Sequence, residues 1–81
     1  MSDLADIEMQ ILIELAKHEP GERVLESTLR SAIGLDIDPG DRHKFLHHMG
    51  QLQLAMVIDR RFNGVCLNAD GRRLLISQNL I

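Results

Sequence analysis

The chain holds a single cysteine, Cys66, so no internal disulfide is possible and a reducing cytoplasm is the expected compartment. No apolar run approaches the roughly 18 residues of a membrane span. The opening Met1-Ser2-Asp3 lacks the basic segment and apolar stretch of a secretory signal. Internal repeats and low-complexity segments are also missing. The sequence contains no phosphate-cradling glycine motif, nucleophile elbow or His-Glu metalloprotease pattern. Ser27, Ser31 and Ser77 have no evident base partner, and Asp36 and Asp38 are better explained by capping. A chain of 81 residues also leaves little room for a water-excluding cleft. The expectation is therefore a protein that is not an enzyme, with no catalytic residues and no cofactor.

What is present suits one small domain over residues 1–81. At 44% hydrophobic residues the chain is too apolar to stay disordered. Charge is unevenly placed. Residues 1–40 carry nine acidic and three basic side chains, whereas residues 41–81 carry three acidic and six basic ones. The halves thus differ in sign, −6 against +3, within a total of −3. Such a split lets one side face a polyanion while the other faces away; its plainer meaning is ordinary solvated charge.

Apolar spacing sets the expected elements. Leu4, Ile7, Ile11 and Leu15 form one stripe of a helix over 3–18, and Ala5, Met9, Leu12 and Ala16 form an adjacent one. An arc this wide exceeds the roughly 100° stripe of a surface helix. It calls for cover on two sides, either within the chain or from a second copy, with Leu80 and Ile81 contributing. The expected oligomer is thus a homodimer through this N-terminal helix. Pro20-Gly21 ends the helix, and Arg23-Val24 suits a very short strand. Leu25, Leu29 and Ile33 mark a second helix with Gly34 at its C′ position. Asp38 as N-cap, Pro39 at N1 and Asp41 near the dipole's positive end start a third helix, 39–54. Phe45, Met49 and Leu52 form its buried stripe, so His43, Lys44, His47, Gly50 and Gln51 point outward. A hairpin over 56–67 follows, with Asn63-Gly64 predicting a type I′ turn. Asn68 is placed to cap a last helix through Leu74, Leu75 and Ile76.

This order, with the run from Leu52 through Arg61 and then Asn63 through Leu75, resembles the winged helix-turn-helix superfamily of small bacterial and phage transcription regulators. Leu67, Gly71, Arg72, Leu74 and Leu75 match the family's "Leu-Thr-x-x-Gly-Arg-x-Leu-Leu" pattern position by position. Asn68 stands where the family has Thr, and Ala55-Met56 where it usually has Gly before the first wing strand. The resemblance implies an α+β, mainly helical fold with a three-helix core, a β-hairpin wing and a C-terminal helix. It implies a cytoplasmic transcriptional regulator that places helix 39–54 in the major groove of duplex DNA.

The candidate DNA-binding residues are Arg42, His43, Lys44, His47, Gln51, Arg60, Arg61 and Asn63. Gln pairs bidentately with adenine and Lys bonds to guanine. Arg42 is placed to meet a phosphate, and Arg60, Arg61 and Asn63 to meet phosphates or the minor groove at the wing. The alternative is a protein–protein interaction module on the same scaffold, without nucleic acid. A continuous positive strip from Arg42 through Lys44 to Arg60 and Arg61 favours DNA; interruption by Asp41 and Asp59 favours the module. His43 and His47 share the i, i+4 spacing of two zinc ligands, but no third ligand lies nearby, so no metal site is assigned. Cys66 reads as an inert thiol.

Overall fold

The structure is a computed structural model and describes residues 4–81. Among these the elements are α1 (Asp6–Ala16), α2 (Glu26–Ala32), α3 (Asp41–Leu54), β1 (Ile58–Arg61), β2 (Gly64–Leu67) and α4 (Ala69–Ser77). The result is a mainly helical α+β fold with one antiparallel hairpin, and its elements follow the expected order. The short strand before α2 is a single bridge: Val24 and Val65 each donate an N–H to the other's carbonyl at 2.9 Å. β2 therefore has partners on both edges, and all four of its residues are buried.

Three boundaries depart from expectation, each for a local reason. α1 covers 6–16 rather than 3–18, with 1–3 outside the described residues. Its last amides, from Lys17 and His18, reach back only three residues, to Glu14 and Leu15, and tighten the turn well before Pro20. α3 begins at Asp41 rather than 39, and the side chain of Asp38 does not cap it. The bond runs the other way: Oδ2 of Asp41 accepts the N–H groups of Asp38 at 3.0 Å and Ile37 at 3.2 Å. Asp41, at the first helical position, thus satisfies two amides of the preceding loop. The hairpin pairs Ile58 with Leu67 and Arg61 with Gly64, so its loop is Phe62-Asn63, not Asn63-Gly64. Neither loop residue has a positive φ, so the turn is not type I′; Gly64 alone does, at 121°. Gly64 is needed inside the strand. A Cβ there would sit 2.8 Å from the carbonyl oxygen of Val24, where the bridging strand crosses.

α2, α3 and α4 end alike, in Schellman motifs closed by one left-handed residue. Gly34 (φ 80°) fills the position as expected, and Asn79 (φ 58°) fills it after α4. After α3 the residue is Met56 at φ 61°. Its N–H meets the Gln53 carbonyl at 3.1 Å, and the Val57 N–H meets that of Leu52 at 3.4 Å. Met56 therefore belongs to the helix stop, and the strand expected from residue 56 starts at Ile58. A non-glycine residue in this conformation costs about 1–2 kcal/mol.

Asn68 caps α4 as expected, its Oδ1 accepting the Gly71 N–H at 2.8 Å. Its Nδ2 also donates to the Met56 carbonyl at 2.6 Å, tying the start of α4 to the end of α3. A Cβ on Gly71 would lie 2.1 Å from the Val57 carbonyl oxygen, so only glycine lets α4 approach the strand lead-in.

Ile11, Leu12, Leu29, Met49, Val65 and Leu75 are fully enclosed, with Phe45 and Leu52 nearly so. Burying each of the larger aliphatic chains stabilises the fold by about 1.5–3 kcal/mol. α1 lies at the centre and packs against α2, α3, α4 and β2. Leu4, Ile7, Ile13, Ala16 and Leu80 pack half-buried on the same core. The wide apolar arc of α1 is thus used within the chain, and no α1 residue is among the exposed large hydrophobics. This removes the ground on which a dimer through the N-terminal helix was expected.

Two substitutions test this account with opposite signs. Gly71→Ala should lose about 3 kcal/mol or more, since the clash is with backbone. Met56→Gly should gain about 0.5–1 kcal/mol by relieving the left-handed strain. Urea unfolding of both variants measures the difference.

Candidate functional site

The apolar stripe of α3 dictates what its other face presents. With Phe45, Met49 and Leu52 buried, the 3.6-residue period leaves Arg42, His43, Lys44, His47 and Gln51 exposed. His48 does not join them. Its Nδ1–H donates to Oε2 of Glu8 at 2.6 Å, fastening α3 to α1. The His47 and His48 rings meet edge to face, 5.0 Å between centroids. Arg42 and Lys44 form no ion pair among the described residues.

The hairpin behaves differently. Arg60 is clasped by Glu26 at the start of α2, Nε to Oε2 at 2.7 Å and Nη2 to Oε1 at 2.8 Å. Its Nη1 also approaches Oε1 of Gln53 on α3 at 3.4 Å. The Glu26 carboxylate holds this guanidinium even more firmly protonated than usual. Arg23 binds Asp59 Oδ2 at 2.6 Å and donates to the carbonyls of Asp59 and Gly64 at 3.2 and 3.0 Å. Arg61 shares Asp59 through Oδ1 at 3.3 Å while staying largely exposed.

The structure therefore brings together four predicted residues, His43, Lys44, His47 and Gln51, on one exposed helix face, with Arg42 exposed at the edge towards α2. Arg61 and Asn63 stand exposed at the far end of the hairpin. Arg60 is a fastening residue, not a free contact. The positive strip that would favour DNA is not continuous, and its break favours the protein-interaction module. Asp41 does not break the strip, being only 5% exposed and turned to its own loop, but Glu26 and Asp59 neutralise its hairpin end.

Sequence reasoning missed Phe62, which is 100% exposed at the hairpin tip. The signal was present: an apolar residue in a stretch otherwise polar, Arg60-Arg61-Phe62-Asn63. It also missed the exposed pair Leu54 and Met56 at the end of α3, 78% and 71% accessible. A depression of about 300 Å³ is lined by Gln10, Ile13, Glu14, Lys17, Ala32 and Ile33. Its charged members, Glu14 and Lys17, are paired with each other at 3.1 Å, so it gathers little chemistry. A smaller cleft of about 170 Å³ lies between α2 and α3. Among the described residues no three or more His, Cys, Asp or Glu side chains converge as metal ligands would, and no helix is long and apolar enough to cross a membrane. No family model, curated protein or solved structure matches this chain.

Three carboxyls sit below their ordinary range. Glu22 is held there first by the Glu19 N–H, Asp41 by the Asp38 N–H and Asp59 by its bond to Arg23. A carboxyl depressed in the folded state stabilises the fold when ionised. That contribution is complete above the unfolded value near pH 4 and is lost as pH falls below it. The melting temperature should therefore fall steadily through the acid range. In Asp41→Asn the fall should be shallower, because one of the titrating groups is gone; thermal scans by circular dichroism across pH check this.

Proposed function

We propose that this chain is a winged-helix protein that binds duplex DNA, in the role of a transcriptional regulator, with α3 as the reading helix. The observation that carries the reading is the exposed face of α3. It places His43, Lys44, His47 and Gln51 side by side, with Arg42 at the edge towards α2, and among the described residues no carboxylate pairs with Arg42 or Lys44. An α-helix of 14 residues is about 21 Å long and lies readily in a major groove. There Gln51 matches the donor–acceptor edge of adenine and Lys44 that of guanine, while Arg42 meets a phosphate. The hairpin contributes its tip. Arg61 and Asn63 suit minor-groove or phosphate contacts, and Phe62 suits an apolar wedge between base steps. Arg60 supports this arrangement by holding the hairpin against α2 and α3, not by touching DNA.

The break in the positive strip at Glu26 and Asp59, together with exposed apolar side chains, favours a second reading, a protein-interaction module on the same scaffold. Leu54 and Met56 expose adjacent apolar surface at the end of α3, and the charge of Arg60 is already neutralised. Protein contacts favour such apolar surface, whereas the DNA reading makes no use of it.

The two readings part in fluorescence anisotropy with a pool of labelled random duplexes at low and physiological salt. The DNA reading expects affinity that falls steeply with salt, from counterion release. Lys44→Ala should weaken binding on all sequences and reduce the salt slope by about 1. Arg60→Gln should lower the melting temperature yet leave the affinity of the folded protein within about twofold, since the residue contacts Glu26 rather than phosphate. Absence of binding even at low salt would reject DNA and leave the protein-interaction reading.

A further inference from the structure

The nine Lys and Arg side chains divide into two groups. Lys17, Arg23, Arg60, Arg61 and Arg73 are paired with carboxylates. Among the described residues Arg30, Arg42, Lys44 and Arg72 are not, and two of these, Arg30 and Arg42, line one cleft between α2 and α3. Ser27 and Glu26 form part of its wall, with Phe45 and Leu46 as the apolar remainder. Arg30 is the informative member. Its Nε is enclosed and yet meets no acceptor. Buried donors in folded proteins are nearly always hydrogen-bonded, and charged ones most of all.

Neither nearby carboxylate serves Arg30. Both oxygens of Glu26 are engaged by Arg60. Asp41, whose charge Arg30 and Lys44 do feel, gives Oδ2 to the amides of Ile37 and Asp38. The clasp between Glu26 and Arg60 thus leaves two guanidinium groups from separate helices, with a hydroxyl beside them, at one opening. Guanidinium forks match the oxygens of phosphate, and donors arriving from several directions suit a tetrahedral anion better than a planar carboxylate. Size limits the ligand: about 170 Å³ is below the roughly 300–1,000 Å³ of clefts that enclose a whole small molecule. It admits one anionic group, with the rest of the ligand outside, past the half-exposed Leu46.

We infer that the α2–α3 cleft is a binding site for a phosphate group, held by Arg30 and Arg42 with Ser27 as a further donor. The phosphate is either a nucleic-acid phosphodiester or the head of a free phosphate ester. The site stands whether or not duplex DNA is the partner of the α3 face.

The test is titration of the whole chain with inorganic phosphate, followed by NMR at the Nε–Hε groups of Arg30 and Arg42 and the amide of Ser27. Sodium chloride at equal ionic strength is the control. Saturable shifts at these groups are expected, with a Kd on the order of millimolar. Arg30→Gln and Arg42→Gln should each weaken binding by about tenfold or more, and Lys44→Gln should leave it unchanged. Arg42 is exposed, so if Arg30→Gln fails to fold, Arg42→Gln alone decides. Shifts that merely follow chloride, or saturable binding that Arg42→Gln does not weaken, overturn the site. Displacement of phosphate by duplex DNA assigns the phosphodiester, and displacement by a nucleoside monophosphate but not by DNA assigns the free ester. Phosphate binding without DNA binding would sink the DNA reading and keep the cleft; DNA binding without saturable phosphate binding would do the reverse.

Discussion

The hairpin is fastened to the lead-in and start of α2 by two arginine–carboxylate pairs, Arg60 with Glu26 and Arg23 with Asp59. Both are partly buried, and both join residues more than thirty positions apart. Partly buried forked pairs restrict geometry more than isolated surface ions do. They add to the mutual Val24–Val65 bonds, which place the lead-in to α2 against β2. A two-stranded hairpin is at best marginal alone; here one face is packed and both edges of β2 are occupied. Glu26 thereby neutralises Arg60, while Asp59 is shared between Arg23 and the largely exposed Arg61. Among the described residues the cations without a carboxylate are Arg30 and Arg42 at the α2–α3 cleft, Lys44 on α3 and Arg72 on α4.

Much of the fold was legible because it depends on local rules. Apolar period located α1 and the buried stripe of α3. Gly34 announced the end of α2, and Asn68 the start of α4, because each position has a narrow set of acceptable residues. Gly71 stood in the motif without an explanation that sequence alone provides. Its reason is the Val57 carbonyl 2.1 Å from where a Cβ would be, a contact between segments fourteen residues apart.

The misreadings share a physical origin in competing local signals. Met56 looked like the start of a strand, since its neighbours Val57 and Ile58 are β-prone, but the carbonyls at the end of α3 needed closing first. Asn63-Gly64 looked like the turn, but Gly64 was needed within the strand by the crossing of Val24. The α1 arc left cover from within the chain or from a second copy equally open, because the number of elements surrounding it was not visible. On the candidate site, the outward α3 residues followed from phase alone. The loss of Arg60 did not, because its partner Glu26 lies 34 positions away. Phe62 was passed over because a turn assignment shifted by one residue hid its place at the tip.

In the proposed reading duplex DNA is met by the exposed face of α3 and the hairpin tip, and Arg60 takes no part in the contact. Chemical-shift mapping of the isotope-labelled chain with a short duplex at low salt tests it most directly. Shifts are expected along Arg42, His43, Lys44, His47 and Gln51, joined by Arg61, Phe62 and Asn63 at the hairpin tip. No shift at saturating duplex, or shifts confined to Leu54 and Met56, would contradict it.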